Sequence, residues 1–471
     1  MTSSLPPREP LPPWARPQGT RERPLELRYA RPILSRAGRL EAIVLEGGPP
    51  LDRALEGYLR ENRQLGSNDR RLLAAAVYRL ARNRELYRRA LPGRPPGTGA
   101  YLLLALADAP EVGQQGTEAL AAGDPKLAAR LRAAAELRLR WARAVAGAWD
   151  RPPAELDEAT AEAAARLFSV PPWWLALGPW RTLGEAAEEL SALRRPLGAT
   201  LRVQLHRAGP GGRDEVLARL RREGISAEPT RRSPWGIRLE GRPNLKGSEL
   251  YRRGWVEVQD EGSQLIAWAA AACAGARVLD LCAGGGGKAL ALASVLEGQG
   301  RVTAYDVDAR RLRETARRAE RSGLARRIRV VSDARELERG APFDLVLADA
   351  PCTGSGTLRR NPDAAWRWSR EALGRFTGLQ DRILDRAARL VAPGGSVLYA
   401  TCSLLEPENR CRVEAFLGRH PAFRPAPLGP GGPEDPLGDL DEARAGALRL
   451  PPTLDRYDGD AFFLARLRRE G

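Results

Sequence analysis

The chain has 471 residues, too many for a single hydrophobic core, and its 43% apolar and 28% charged content suits a folded, water-soluble polypeptide and excludes a disordered one. Seventy-five Lys plus Arg against 59 Asp plus Glu leave a net charge of +16, which favours a polyanionic partner, nucleic acid first, although a solvated basic surface gives the same sum. Five cysteines confined to positions 273–411 without a CxxC pair, and only two histidines (His206 and His420), exclude a disulfide framework and argue against zinc.

Residues 1–24 are rich in Pro and Arg, without the apolar run of a secretory signal, and read as a disordered tail. From 25 to 165 the period is helical. Leu51, Leu55, Tyr58 and Leu59 form one stripe, and Leu72, Leu73, Ala76, Val77 and Leu80 form another, opened by a cap at Ser67 or Asn68. Alanine-rich runs at 117–148 and 154–168 continue it, the first studded by Arg130, Arg132, Arg138, Arg140 and Arg143, which either hold phosphates or solvate a helix face. Residues 166–249 read as a small α+β unit, with strands at Leu201–Leu205 and Ile237–Leu239 and a helix from Asp214 to Glu223. The longest apolar stretch, Leu265 to Ala276, is too short to span a bilayer, so a cytoplasmic protein with no membrane partner is expected.

From 250 to 471 the texture becomes strand–helix alternation. Strands are predicted at 277–281, 301–306, 328–332, 344–349 and 396–401, separated by helices such as 309–322 and 371–391. That pattern implies a Rossmann-like α/β domain, a parallel sheet covered on both faces. The stretch 421–440 reads as a surface loop, and Phe462, Phe463 and Leu464 as a last strand closing the sheet.

The first strand runs into Cys282, Ala283, Gly284, Gly285, Gly286, Gly287 and Lys288, where glycines let backbone N–H groups approach a ligand. A Walker loop is excluded because Ala289 follows the lysine, and a plain strand-to-helix turn would look the same. Lys288 is one of three lysines in the chain, with Lys126 and Lys246. Asp306 ends the second strand, where a carboxylate can take both ribose hydroxyls; Asp333 and Asp349 end the third and fourth. Each alone could be a helix cap; together they suggest an adenosine-bearing cofactor with no pyrophosphate to cradle. Cys352 follows the fourth strand in Asp-Ala-Pro-Cys-Thr-Gly-Ser-Gly, and Cys402 ends the fifth in Ala-Thr-Cys-Ser. In a doubly wound sheet these strands are neighbours, so both thiols should open onto one crevice beside Asp349. Cys273, Cys282 and Cys411 read as structural thiols.

The texts DLCAGGGGK, YDVD, DAPCTGSGTLRRNPDAAW and YATCSLLEPEN, with GWVEVQDEGSQL upstream and DGDAFFLARL at the end, resemble the motifs of RNA cytosine-5 methyltransferases that use S-adenosylmethionine. With a helical domain similar to the antitermination factor NusB, carried by Leu51 to Leu80, the chain over roughly 25 to 470 resembles the RsmB (Sun/Fmu) type of 16S ribosomal RNA methyltransferase. It departs from that pattern at Gly285, where the family usually has Pro, at Ala289, where it has Thr or similar, and at Asn361, where it has His; the first change is expected to loosen the loop and the last bears on substrate contacts.

The resemblance implies Cys402 as the nucleophile that adds to carbon 6 of cytosine, Cys352 in product release, Asp349 as partner of the ring N3 and amino group, and Lys288 reaching towards the cofactor carboxylate or Asp349. Residues 282–288 with Asp306, Asp333 and Asp349 would bind S-adenosylmethionine, Asp306 at the ribose and Asp333 at the adenine, with no metal required. The implied partner is 16S ribosomal RNA, free or in early assembly, handled by a monomer. Transfer RNA or another ribosomal site is the alternative, and a non-catalytic RNA-binding protein a more distant one.

Overall fold

In the computed structural model the described residues are 25–471, apart from 110–111, 197, 242, 297–299, 432–433 and 458; the expected 1–24 tail lies outside them. The chain divides into two compact units, one of residues 1–196 with 357–369, the other of 197–356 with 370–471. The stretch expected as a separate middle unit, 166–249, is therefore shared: helices Pro172–Leu177 and Leu183–Ala192 belong to the first unit.

The first unit is helical throughout its described elements, from Ala30–Arg36 to Leu183–Ala192. The stripe on Ser67–Arg82 is its core: Leu72, Leu73, Ala76, Val77 and Leu80 are completely buried. Neither Ser67 nor Asn68 caps this helix. Gly66 precedes it, and the Asp69 carboxylate accepts the Gly66 N–H (3.1 Å), so an acid in the first turn does what a cap would have done. Buried Glu41 spreads one carboxylate over five backbone N–H groups, those of Gly97, Thr98, Gly99, Tyr101 and Leu102, satisfying the orphan donors that open Ala100–Ala107.

Arg138 does not stud the surface as its neighbours suggested. It turns inward and grips Asp108 (2.5 Å), which also accepts from Arg79 (2.9 Å) and the Tyr87 hydroxyl (2.7 Å). Segment 357–369 packs within the same unit: buried Arg359 donates to the Ala192 carbonyl (3.0 Å), Arg82 donates to the Arg359 carbonyl (3.0 Å), and the Leu51 N–H reaches Asp363 (3.3 Å).

The second unit holds two sheets. Strands β1 (Thr200–Val203), β2 (Ala227–Pro229), β3 (Gly236–Leu239) and β4 (Val256–Val258) form an antiparallel sheet in the order β2-β3-β1-β4, with helix Gly212–Arg222 covering the Leu201 and Val203 face. The larger sheet comprises β5 (Arg277–Asp280), β6 (Arg301–Tyr305), β7 (Ile328–Val331), β8 (Phe343–Asp349), β9 (Val391–Thr401), β10 (Phe423–Pro425), β11 (Ala447–Leu450) and β12 (Phe462–Arg469). Its order is β10-β12-β9-β8-β5-β6-β7, with β11 also paired to β12.

Strands β5 to β9 are parallel, and their side chains alternate between two buried layers. Val278, Val302, Leu345, Leu347 and Leu398 face one layer; Leu279, Tyr305, Val346, Val397 and Tyr399 face the other. Burial on both faces explains the near-continuous apolar runs. Two expectations change at the far edge. β12 does not close the sheet but runs antiparallel between β9 and β10, and 421–440 is no surface loop, since Phe423 begins β10 and Leu428 and Leu437 are fully buried. No described helix is long and apolar enough to cross a membrane.

Candidate active site

Parallel strands end on one edge, and β5, β8 and β9 are adjacent there. The turn after β5 is the glycine loop. Gly284 (φ 56°) and Gly286 (φ 80°) occupy left-handed backbone, and a Cβ on Gly286 would meet Thr315 at 2.6 Å, so both positions exclude larger residues. The Gly284 N–H donates to Asp306 at the end of β6 (2.8 Å), whose other oxygen accepts from Asp308 N–H (2.8 Å). The expected loosening at Gly285 has a counterweight, because Arg318 donates to its carbonyl (2.6 Å) and is itself held by Glu257 (2.9 Å).

Lys288, in the first turn of helix Gly287–Val295, is buried and donates to Asp349 at the end of β8 (2.5 Å). Burial alone would lower its ammonium. Asp349, then Asp280 and the Cys402 thiol, outweigh it and hold the group above the ordinary lysine value. Asp280, which ends β5 and was not singled out in the sequence, is 1% exposed and has one carboxylate oxygen without a partner. Burial, then the charge of Asp349, pushes its carboxyl up to about 7.

Asp280 therefore keeps its proton in the fold through a range where the unfolded chain, at about 4, has lost it. Stability should fall as pH rises from about 4 to about 7 and level off above. Asp280→Asn is expected to remove that slope, melting higher than the wild type at pH 8 by an amount worth up to about 4 kcal/mol and equally at pH 4; thermal melts across that range check it, and parallel curves would refute it.

Cys352, in the turn after β8, and Cys402, at the end of β9, stand 3.4 Å apart, Sγ to Sγ. Both are half-buried. The Gly356 N–H donates to the Cys402 carbonyl (2.9 Å), and the Ala350 N–H to that of Ala400 (2.9 Å), tying the two turns together. The hydrogen bond to Cys402, then burial, then the Cys402 and Glu408 charges, push the Cys352 thiol well above its ordinary value.

The structure thus brings Lys288, Asp349, Cys352 and Cys402 to one strand edge and places Asp306 under the glycine loop. Asp333 lies farther along that edge, exposed at the end of β7, with an oxygen engaged by the Arg335 N–H (2.9 Å) that opens Ala334–Arg339. Cys282, half-buried after β5, has a thiol pushed up by burial and by Asp280, Asp349 and Asp306. Asn361 sits in the helical unit, where its side chain donates to Thr357 (3.1 Å). Besides Asp280, the sequence reading left Glu408, Asn409 and Gln380 without roles, although the first two stand in quoted motif text.

Residues 269–468 match the family described as 16S rRNA methyltransferase RsmB/F. The chain is also 36% identical over 305 residues to the ribosomal RNA small subunit methyltransferase B of Xylella fastidiosa, covering 64% of this chain and 67% of that one. The chain belongs to the RsmB/F family. Another member, from Xanthomonas campestris, is 38% identical over 256 residues, which is 53% of this chain; the RsmB/F chain thereby spans 57% of that relative's length. The fold is shared with the crystal structure of PH0851 (TM-score 0.66, 24% identity), over 95% of this chain and 100% of that one. The family match contains the glycine-loop lysine, both thiols and Asp349.

Proposed function

We propose that this RsmB/F chain methylates carbon 5 of a cytosine in 16S ribosomal RNA, with S-adenosylmethionine as donor and Cys402 as a covalent nucleophile. The observation that carries this reading is the pair of thiols 3.4 Å apart beside the Lys288–Asp349 ion pair. The donor suits the residues present: a cationic sulfonium and ammonium fit an edge lined by Asp280, Asp306 and Asp349, one of whose buried oxygens lacks a partner. Residues 282–288 with Asp306 and Asp333 would hold it, and it supplies an already electrophilic methyl group.

The protein's own task is to make a poor carbon nucleophile reactive. Cys402 adds through sulfur to carbon 6, and the electron pair displaced from the 5,6 double bond makes carbon 5 nucleophilic. Asp349, held in place by the Lys288 ammonium, pairs with N3 and the amino group and stabilises charge that reaches the ring. Once a water molecule has taken the proton from methylated carbon 5, that electron pair re-forms the 5,6 double bond, the Cys402–carbon 6 bond breaks, and the Cys352 thiol gives its proton to the departing Cys402 thiolate. A stacked base cannot present carbon 6 to a thiol, so the target is unpaired or flipped out. The NusB-like helical unit and the small sheet would hold surrounding phosphates through exposed arginines such as Arg140 and Arg143.

Tritium transfer from methyl-labelled S-adenosylmethionine to protein-free 16S RNA, followed by bisulfite mapping, tests this. One protected cytosine is the expected result. Label on transfer RNA alone would keep the chemistry and discard the substrate; label on neither would overturn the reading.

A further inference from the structure

The two thiols lie on separate turns, at the ends of β8 and β9, yet their separation must be held to a fraction of an ångström for one to serve the other. Neighbouring strands fix the turns at their roots, and a backbone bond from the Gly356 N–H to the Cys402 carbonyl joins them at one point beyond. What lies beneath is a buried polar cluster that the proposed chemistry does not use.

Glu408 is completely buried, in the short helical turn Glu406–Glu408 that follows β9. Its Oε1 accepts from the Thr353 N–H (2.9 Å) and from Gln380 Nε2 (3.0 Å); its Oε2 accepts from the Thr353 hydroxyl (2.6 Å) and the Ser403 hydroxyl (2.5 Å). Thr353 is the neighbour of Cys352, and Ser403 is the neighbour of Cys402. The same Gln380 nitrogen also donates to the Pro351 carbonyl (3.0 Å), on the other side of Cys352. Asn409, equally buried, holds both sides of Cys402: its Oδ1 accepts from Thr401 Oγ1 (2.6 Å) and its Nδ2 donates to the Ser403 carbonyl (3.0 Å).

We infer that Glu408 and Asn409 are positioning residues that clamp the Cys352 and Cys402 turns together and set the distance between the thiols. The inference rests on the proposed reaction only for its kinetic consequence; the clamp itself is a matter of geometry. A carboxylate is suited to the place because four donors converge on it from three segments, and a side chain without a polar atom at both ends of the fork would leave some unsatisfied. Glutamine can keep the arrangement, since the two hydroxyls facing Oε2 can rotate to accept from an amide.

The test uses the full chain as wild type, Glu408→Gln, Glu408→Ala and Asn409→Ala. Diamide, which takes two electrons and two protons from a pair of thiols to leave a disulfide, reports the Cys352–Cys402 separation without RNA or cofactor. The wild type and Glu408→Gln should cross-link at similar rates, as read by mass spectrometry of the linked peptides, and the two alanine variants about tenfold slower. In methyl transfer to 16S RNA, Glu408→Ala should lose about 100-fold in kcat, the scale of a misplacement of about 1 Å, with KM for both substrates nearly unchanged and Glu408→Gln restoring most of the rate. Should Glu408→Ala fail to fold, Asn409→Ala carries the same expectations. Equal cross-linking in wild type and the alanine variants would overturn the clamp, as would a wild type whose thiols do not cross-link. A wild type that cross-links, with variants that do not, supports the clamp even if no RNA is methylated, and the fault then lies with the assigned reaction.

Discussion

Cys402→Ala is expected to lower methyl transfer to 16S RNA by about 10,000-fold, the scale on which removal of an enzymic nucleophile is felt, while S-adenosylmethionine binding persists. Two thiols share the site, and under the proposed reaction the difference between their surroundings assigns the attack to one of them. Cys352 is pushed well up, first by its hydrogen bond to Cys402, then by burial and by the charges of Cys402 and Glu408. Those surroundings favour its protonated form, the one that can donate. Cys402 stands beside the Lys288–Asp349 ion pair, and its carbonyl is held by the Gly356 N–H. Cys352→Ala should therefore fail at a different stage, leaving protein attached to RNA in a complex that survives denaturing electrophoresis. Label transfer and gel mobility measured on both variants check the pair of outcomes. Full activity in Cys402→Ala, or an attached complex in that variant, would reverse the roles.

Asp108→Ala is expected to destabilise the helical unit by about 3–5 kcal/mol, the cost of leaving buried charges without their counterion. Asp108 is 6% exposed and holds Arg79 and Arg138, while half-buried Arg194 is already lowered to about 9 by loss of solvent and by those two guanidiniums. Removing the acid leaves three arginines in mutual repulsion. Burial by itself would raise the Asp108 carboxyl; Arg138 and Arg79 outweigh it and hold it well below the usual range. With the folded value depressed, its contribution is complete above about pH 4, where the unfolded carboxyl ionises, and is lost as the pH falls below that. Urea melts followed by far-ultraviolet circular dichroism at pH 7 should show the helical transition shifted to lower denaturant, and the shift should shrink towards pH 3. A change under about 1 kcal/mol would mean that desolvation had already cancelled the ion pairs.

Much of the catalytic unit was legible in the sequence because parallel strands buried on both faces leave short apolar runs that few other structures produce. The runs at 277–281, 301–306, 328–332 and 344–349 each match an observed strand to within a residue or so, and the helix expected at 309–322 is Ala309–Ser322. The meeting of Cys352 and Cys402 could be foreseen because strand ends are where chain order and spatial order coincide. Other features escaped for physical reasons. Glu408 reads as a surface residue, since nothing local announces that Thr353, Ser403 and Gln380 will converge on it. Arg138 shares its helix with exposed arginines, and only the distant Asp108 turns it inward. The region 421–440 is rich in Pro and Gly, yet Leu428 and Leu437 bury themselves under the sheet, which composition averages away.

The segment 357–369 gives the chain an unusual itinerary. It leaves the catalytic unit just after the Cys352 turn, is built into the helical unit through Arg359, Asp363 and their partners, and returns to the catalytic unit at Arg370. The two units are consequently stitched together by the backbone at three places and cannot be separated with a single cut. A fragment beginning after residue 196 would carry those residues as an orphaned insert, its buried alanines and Arg359 stripped of their packing. Modular exchange between relatives must then swap this stretch together with the helices it packs among, so that the helical unit and the loop following Cys352 are inherited as one piece.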